Sequence, residues 1–176
     1  MFVVQKHRAT SLHYDFRLEI GGTMPSWSVP KGPTLDSSVR RLALPTTDHD
    51  IEYRHFEGVI PKGEYGGGPV MIWDEGWYNA EREVAKGVRE EIVDKARGDK
   101  IMEEELTKGN LKFHLYGKKL QGSFALVRTK GFGSTKGDSW LLIKHKDEYA
   151  KKGYDANDYD YSADTGRSMA EIASAP

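Results

Sequence analysis

The chain has 176 residues, of which 38% are hydrophobic, and it carries no cysteine and a net charge of −1. This length allows a substantial core and is most simply one domain, while the missing cysteine excludes disulfides, thiolate nucleophiles and Cys-based zinc sites. The N-terminal apolar run is too short for a signal peptide, and no stretch approaches the roughly 20 apolar residues of a membrane span, so we expect a soluble cytoplasmic protein with no membrane partner.

The first strong pattern lies in the segment LHYDFRLEI at residues 12–20. Its apolar residues alternate with His13, Asp15, Arg17 and Glu19. This period of two is typical of a β-strand with one apolar and one polar face. Next-but-one residues lie about 7 Å apart, two rises of roughly 3.3 Å each. The segment therefore predicts a strand that lines up an imidazole, a carboxylate and a guanidinium.

Short runs of β-branched and aromatic residues recur along the rest of the chain, with Gly- and Pro-rich turns between them. They predict strands at Phe2–Gln5, Ser26–Val29, Arg41–Leu44, Phe56–Ile60, Val70–Asp74, Leu111–Leu115, Gly122–Arg128 and Ser139–Lys144. Such spacing is typical of an antiparallel barrel or sandwich. We expect a mainly β fold and favour a small antiparallel β-barrel.

One stretch, residues 81–106, has a helical pattern. Val84, Val88, Ile92 and Ala96 recur every four residues among charged ones. We interpret this stretch as a minor helical insertion, and as a broken helix more than a continuous one, because glycines interrupt it.

The last segment, residues 153–176, is acidic and poor in aliphatic residues until its end. We expect it to pack little and to form a tail or linker. The expected organisation is thus a β-barrel domain over residues 1–152, followed by this acidic tail.

A candidate metal site lies near the start of the chain. His7 precedes His13 by six residues, and residues 8–11 can form the turn that brings His7 alongside. Together with Asp15, the two imidazoles form a ligand set that suits Mn²⁺, Fe²⁺ or Zn²⁺. Arg17 adds a planar, positively charged guanidinium that can bind an oxyanion through two N–H donors. The alternative is a half-solvated strand with ordinary surface hydrogen bonds.

A second polar cluster contains His49 and Tyr53, four residues apart in an acidic segment. An imidazole and a phenol near a metal-bound phosphate can hydrogen-bond its oxygens, and the imidazole can protonate a leaving alkoxide. Alternatively, each residue is structural, with Tyr53 capping the core.

Charge is segregated along the chain despite the small net value. Residues 1–41 hold six basic residues against three acidic ones, and residues 108–152 hold eleven against three. Residues 42–107 hold eight against sixteen, and residues 153–176 hold one against five. If the two basic segments share a face, that face can bind a polyanion. For residues 108–152 alone, a solvated lysine-rich surface is the better interpretation.

Several motifs occur in a fixed order along the chain. They are QKHxAxxLHYDFRLE at 5–19, SWxVPKGP at 26–33, DH at 48–49 and FEGxIPxGxYG at 56–66, followed by LKFHLYGKKLQGSFALVRT at 111–129 and WLLIKHKDEYA at 140–150. This series resembles the 3′-phosphoesterase domain of bacterial DNA ligase D, which also occurs as a stand-alone protein. The resemblance covers most of residues 2–150, and it is specific because several separate motifs keep their order.

The resemblance implies a small β-barrel enzyme that heals DNA 3′ ends for non-homologous end joining. Such an enzyme removes a 3′-terminal ribonucleoside, leaving a 3′-phosphate, and then removes that phosphate to leave a 3′-hydroxyl. Mn²⁺ is the expected metal, with Co²⁺ or Zn²⁺ as alternatives. The implied site residues are His7, His13 and Asp15 for the metal, Arg17, His49 and Tyr53 for catalysis and phosphate binding, and Gln5, Lys31 and Arg41 for accessory or DNA-binding roles.

The expected partners are DNA or DNA/RNA primer-template 3′ ends, an ATP-dependent DNA ligase and end-joining factors. Two other functions stay open. A non-catalytic DNA-end-binding module would show 3′-end affinity without turnover. A metallophosphodiesterase for small nucleotides would hydrolyse cyclic or free nucleotides and show little preference for duplex primer ends.

Overall fold

A computed structural model describes residues 1–129 and 138–175. Its strands are β1 (Phe2–Arg8), β2 (Leu12–Leu18), β3 (Met24–Val29), β4 (Arg40–His49), β5 (Gly58–Ile60), β6 (Gly68–Ala85), β7 (Val88–Ile92), β8 (Asn110–Gly117), β9 (Gln121–Thr129) and β10 (Ser139–Lys144). Its helices are α1 (Lys95–Lys108) and α2 (Met169–Ser174), with 3₁₀ turns at Ile51–His55 and Ala156–Asp158. Every predicted strand overlaps an observed one, which confirms the mainly antiparallel β fold with a minor helical part.

The described strands pair antiparallel in the order β1-β2-β3-β4-β10-β9-β8-β6, and β6 also pairs with β1. This last pairing closes eight strands into a ring. Strand β6 is 18 residues long, so it has room to pair with β5 near its start and with β7 near its end as well.

Apolar side chains that alternate along the strands fill the core. In β2, Tyr14 and Phe16 belong to the main cluster of buried residues, and Phe16 stacks on Phe113 with 5.9 Å between ring centroids. Asp15 and Arg17 fall between these positions and therefore lie on the opposite face of the strand.

The prediction of a helix over residues 81–106 is wrong in its first half. Strand β6 continues to Ala85, and the chain turns at Gly87, whose φ is +74°, into β7. Val84 and Val88 are exposed near the tip of this hairpin. Their four-residue spacing therefore reflects two positions flanking a turn and not the buried stripe of a helix.

The second half of that stretch does form a helix. Its start is capped by Asp94, whose side chain accepts a hydrogen bond from the backbone N–H of Arg97, as is typical of an N-cap. Its end is Gly109 in the left-handed conformation. The helix buries Met102 in the core, which fixes α1 against the sheet.

The prediction that residues 153–176 pack little is wrong for the part that the structure describes. Met169 and Ile172, on the short helix α2, belong to the main core cluster. Lys6 Nζ donates a hydrogen bond to Asp160 Oδ1 at 3.0 Å. The few apolar residues of this segment are widely spaced, but a folded path brings them to the same core. None of the helices in the described ranges is both long and apolar enough to cross a membrane.

Candidate metal and phosphate site

Two histidines and an aspartate meet on the paired strands β1 and β2. The register places His7 opposite His13 and Gln5 opposite Asp15, because residues 9–11 form a tight turn between the strands. The three possible ligand atoms lie within 4.8 Å of one another. Nε2 of His13 and Nδ1 of His7 lie 3.3 and 4.0 Å from Oδ2 of Asp15. Two donors that are each roughly 2.1 Å from one ion can lie up to about 4.2 Å apart, so each imidazole is close enough to share a divalent cation with Asp15.

Backbone carbonyls orient both imidazoles. Nε2 of His7 donates to the carbonyl of Gly66 at 2.7 Å, and Nδ1 of His13 donates to the carbonyl of Ser11 at 3.2 Å. In the neutral rings, the other nitrogens therefore present lone pairs on the side of Asp15. Outer hydrogen bonds of this kind fix the ring orientation of metal-ligating histidines. No residue pattern predicts these two contacts, because any residue type has a backbone carbonyl.

The two imidazoles differ in proton affinity. Burial lowers the pKa of His7, which favours its neutral, metal-binding form. The hydrogen bond to Asp15 raises the pKa of His13. A metal ion competes for the same lone pair as that proton, so binding here would release protons.

Arg17 follows on the same face of β2 and is only 3% exposed. Its Nε donates to Oε1 of Gln5 at 2.7 Å, and its Nη2 lies 3.5 Å from Oδ2 of Asp15. Its Nη1 is buried and has no hydrogen-bond partner among the described residues. A buried donor without a partner is costly, so Nη1 is the group left available for an oxyanion. The alternative of a half-solvated strand does not fit this burial.

Gln5 connects Arg17 to the 3₁₀ turn that carries Tyr53. Nε2 of Gln5 donates to the carbonyls of Tyr53 and Phe56, at 2.9 and 3.1 Å. The guanidinium of Arg17 lies 5.1 Å from the centroid of the Tyr53 ring, and that ring stacks on His49 at 4.5 Å. Gln5 is fully buried and connects Arg17 to this turn, and its accessory or DNA-binding role stays a prediction.

The environment of His49 and Tyr53 keeps both as hydrogen-bond donors. Burial lowers the pKa of His49, and the positive charge of Arg17 lowers it further. Burial raises the pKa of Tyr53. At neutral pH, the imidazole is therefore mostly uncharged with one N–H, and the phenol retains its O–H.

The predicted metal and phosphate residues all line one cleft of about 980 Å³. They are His7, His13, Asp15, Arg17, His49 and Tyr53. Lys31 and Arg41 are not part of this lining within the described residues. Lys31 is exposed in the turn after β3, and Arg41 lies opposite Leu142 in the β4–β10 pair. Their accessory roles stay predictions.

The cleft also contains residues that are not among the candidate site residues predicted from the sequence. Arg8, at the end of β1, and the glycine-rich loop at residues 61–68, with Lys62 and Tyr65, line its other side. The glycines and the proline of that loop predict only a turn. Its position beside the metal ligands depends on the pairing of β5 and β6, which the loop sequence alone does not reveal.

Where the structure describes it, the second basic segment does not line the cleft. Its described part, residues 108–129 and 138–152, supplies no lining residue. Lys119 and Lys144 are buried, and each donates hydrogen bonds to backbone carbonyls. These two lysines therefore serve the fold and add little to a polyanion-binding surface.

Comparisons with known proteins identify the family of this chain. Residues 5–128 match the family model described as the DNA Ligase D 3′-phosphoesterase domain. The chain is 45% identical over 150 residues to the multifunctional non-homologous end joining protein LigD of Pseudomonas aeruginosa, covering 85% of this chain and 16% of that protein. For the LigD proteins of Mycobacterium tuberculosis and Mycolicibacterium smegmatis, the identities are 38% over 154 residues and 41% over 149 residues, covering 88% and 84% of this chain and 17% of each relative.

The chain thus spans about one sixth of the length of the curated relatives it matches. The family model covers well over half of the chain, and it includes all six residues of the cleft named above. The chain belongs to the DNA Ligase D 3′-phosphoesterase domain family.

Proposed function

We propose that this protein is a Mn²⁺-dependent phosphoesterase that heals DNA 3′ ends. It removes a 3′-terminal ribonucleoside from a primer strand and then the remaining 3′-phosphate, which leaves a 3′-hydroxyl for an ATP-dependent ligase and other end-joining factors. The observation that carries the proposal is the set of His7, His13 and Asp15 beside Nη1 of Arg17, which has no hydrogen-bond partner in residues 1–129 and 138–175. A set of metal ligands next to a positively charged hydrogen-bond donor suits a phosphate ester, because both the metal and the donor attract its negative oxygens.

Some of the cleft residues bind the metal, and others bind the phosphate. His7, His13 and Asp15 hold the metal, which supplies positive charge against the phosphoryl oxygens when it is bound. Arg17 donates Nη1 to the same phosphate, and its remaining bonds to Gln5 and Asp15 keep the guanidinium in place. A donor held in advance where negative charge develops needs no reorganisation during the reaction.

His49 and Tyr53 complete the phosphate contacts. Their stacked rings place an N–H and an O–H donor at the same wall of the cleft. In each step, water adds to phosphorus and the ester P–O bond breaks, so the departing oxygen must gain a proton. In its neutral form, His49 bonds the phosphate oxygens through its N–H, and in its protonated form it can pass that proton to the departing oxygen. General-acid catalysis of this kind is typically worth about 10²–10⁴ in rate.

A primer-template assay tests the proposal. The labelled strand ends in one ribonucleotide or in a 3′-phosphate, and each is incubated with and without Mn²⁺. We expect conversion to the 3′-hydroxyl only with the metal, and its loss in His13→Ala. His55→Ala is the matched control, because His55 is exposed in the neighbouring 3₁₀ turn and is not among the cleft residues.

Each alternative function gives a different result in the same assay. Tight binding of primer ends without turnover would overturn the proposal in favour of an end-binding module. Hydrolysis of cyclic or free nucleotides without action on primer ends would favour a small-nucleotide phosphodiesterase. Equal losses of activity in His13→Ala and His55→Ala would show that the predicted metal ligands are not specifically required for the reaction.

A further inference from the structure

The cleft is larger than a phosphate and its metal require. Its volume of about 980 Å³ extends from the metal ligands to the loop at residues 61–68. On that side, the side chain of Tyr65 is fully exposed, at 102%, and Val59 is 41% exposed. Two apolar surfaces thus face solvent in a cleft whose other wall is polar. A large exposed aromatic ring beside a binding site suggests a ligand surface that covers it.

The backbone beside Tyr65 is hydrogen-bonded to one of the metal ligands. The next residue, Gly66, accepts the hydrogen bond from His7 at 2.7 Å, and consecutive Cα atoms lie about 3.8 Å apart. Two turns hold the loop, with Glu64 N–H donating to the Pro61 carbonyl and Gly67 N–H donating to the Glu64 carbonyl. The ring is therefore presented from a backbone that is tied to the metal site.

Charge indicates which part of the substrate lies on this side. Arg8 and Lys62 line the cleft near Tyr65, and both are exposed. Cationic side chains of this kind contact nucleic-acid phosphates. A departing 3′-terminal ribonucleoside carries no further phosphate, whereas the retained primer strand carries one at every nucleotide. The strand on the Tyr65 side is therefore the retained strand.

We propose that Tyr65 stacks on the base of the last retained nucleotide of the primer strand, while Arg8 and Lys62 contact the phosphates of that strand. This inference rests on the proposed function and names how the same site recognises a polynucleotide end. Aromatic stacking is tolerant of base identity, because every base has a π-face. The same nucleotide is present in both reaction steps, so Tyr65 acts in both.

The test compares a primer-template that ends in a 3′-phosphate with p-nitrophenyl phosphate, which lacks a nucleobase. For Tyr65→Ala, we expect the ratio of kcat/KM for the primer to kcat/KM for p-nitrophenyl phosphate to fall about tenfold, mainly through the primer KM. Tyr65→Trp should restore the ratio. Tyr149→Ala is the control, since Tyr149 is an exposed tyrosine that does not line the cleft.

A binding measurement separates this inference from the proposed function. The primer carries 2-aminopurine at the phosphate-bearing nucleotide, and its fluorescence is measured without Mn²⁺. Quenching by the wild type that is lost in Tyr65→Ala would support stacking, even if the wild type shows no turnover and the proposed function fails. An unchanged kcat/KM ratio, or a Tyr65→Trp variant that behaves like Tyr65→Ala, would overturn the inference.

Discussion

Two clusters among the described residues combine histidine, carboxylate and arginine, and they differ in what they leave open to a ligand. The first surrounds Asp15 in the cleft. The second surrounds Glu81, between β6, β7, β8 and β9. Ser123 Oγ donates to Glu81 at 2.7 Å, while Nη1 of Arg89 and Nδ1 of His114 lie 3.3 and 3.5 Å from it. The residue types are nearly the same in both clusters.

The clusters differ in the hydrogen-bonding capacity that they leave unused. Nη1 of Arg89 also donates to the carbonyl of Phe124 at 2.9 Å, whereas Nη1 of Arg17 has no partner in the described part of the chain. Glu81 does not line the cleft. A buried charge that is satisfied by its neighbours holds strands together. A buried charge with a free donor beside a cleft is ready to bind an anion.

Matched arginine substitutions give the largest expected contrast. Arg17→Lys should lower kcat on a 3′-phosphate primer about 10²–10³-fold, as the loss of a positioned donor to the transition state typically does. The ammonium group of a lysine cannot reproduce the two parallel N–H donors of a planar guanidinium. Arg89→Lys should retain kcat in the folded protein, because Arg89 does not face the cleft. Both are checked by steady-state kinetics alongside thermal unfolding, and equal losses in kcat would remove the distinction.

Removing Glu81 or Asp15, the carboxylate at the centre of each cluster, tests the same contrast through the free energy of unfolding and through Mn²⁺ binding. Glu81→Ala leaves Arg89 buried without its partner and should lower the free energy of unfolding by about 3 kcal/mol, measured by urea denaturation. The folded fraction should still bind Mn²⁺. Asp15→Ala should abolish Mn²⁺ binding, measured by calorimetry. Loss of metal binding in folded Glu81→Ala would show that the two clusters are coupled.

A third buried carboxylate, Glu57, should show the smallest effect. Burial would raise its pKa, but hydrogen bonds from Ser162, Thr165, Arg167 and the backbone of Ile72 outweigh burial and lower the pKa. The unfolded state therefore binds a proton more readily, so the stability from Glu57 is present above the ordinary glutamate pKa of about 4.3 and is lost as pH falls through the folded value.

The comparison of wild type with Glu57→Gln measures this contribution. At neutral pH, the variant should be less stable by about 1 kcal/mol. Urea denaturation between pH 3 and 6 should show that the difference shrinks as pH falls. A difference that stays constant with pH would assign the effect to packing and not to the charge of Glu57.

The sequence predicted which of the candidate side chains lie together, because the main signals are local. The alternation around Asp15 and Arg17 specifies which side chains share a face, and the short turn after His7 fixes its position opposite His13. Both relations follow from a single hairpin between neighbouring strands. The family resemblance then supplied His49 and Tyr53 as phosphate contacts, and both lie in the same cleft.

The errors concern features that depend on distant parts of the chain. The hairpin of β6 and β7 was mistaken for a helix, because Val84 and Val88 have the spacing of a helix face while their burial depends on the sheet. Met169 and Ile172 lie in an acidic segment, and nothing near them indicates that the core will receive them. No residue pattern predicts the hydrogen bond from His7 to the carbonyl of Gly66.

The pairing that closes the ring also sets the order in which the site can form. Strand β1 pairs with β2, its neighbour in sequence, but His7 also lies opposite Val70 of β6. Contacts between residues far apart in sequence form slowly, because a long loop must close first. The hairpin that holds the three metal ligands can therefore form early. His7 gains its second strand neighbour and the Gly66 carbonyl only later, so we expect metal affinity to mature in the last kinetic phase of folding.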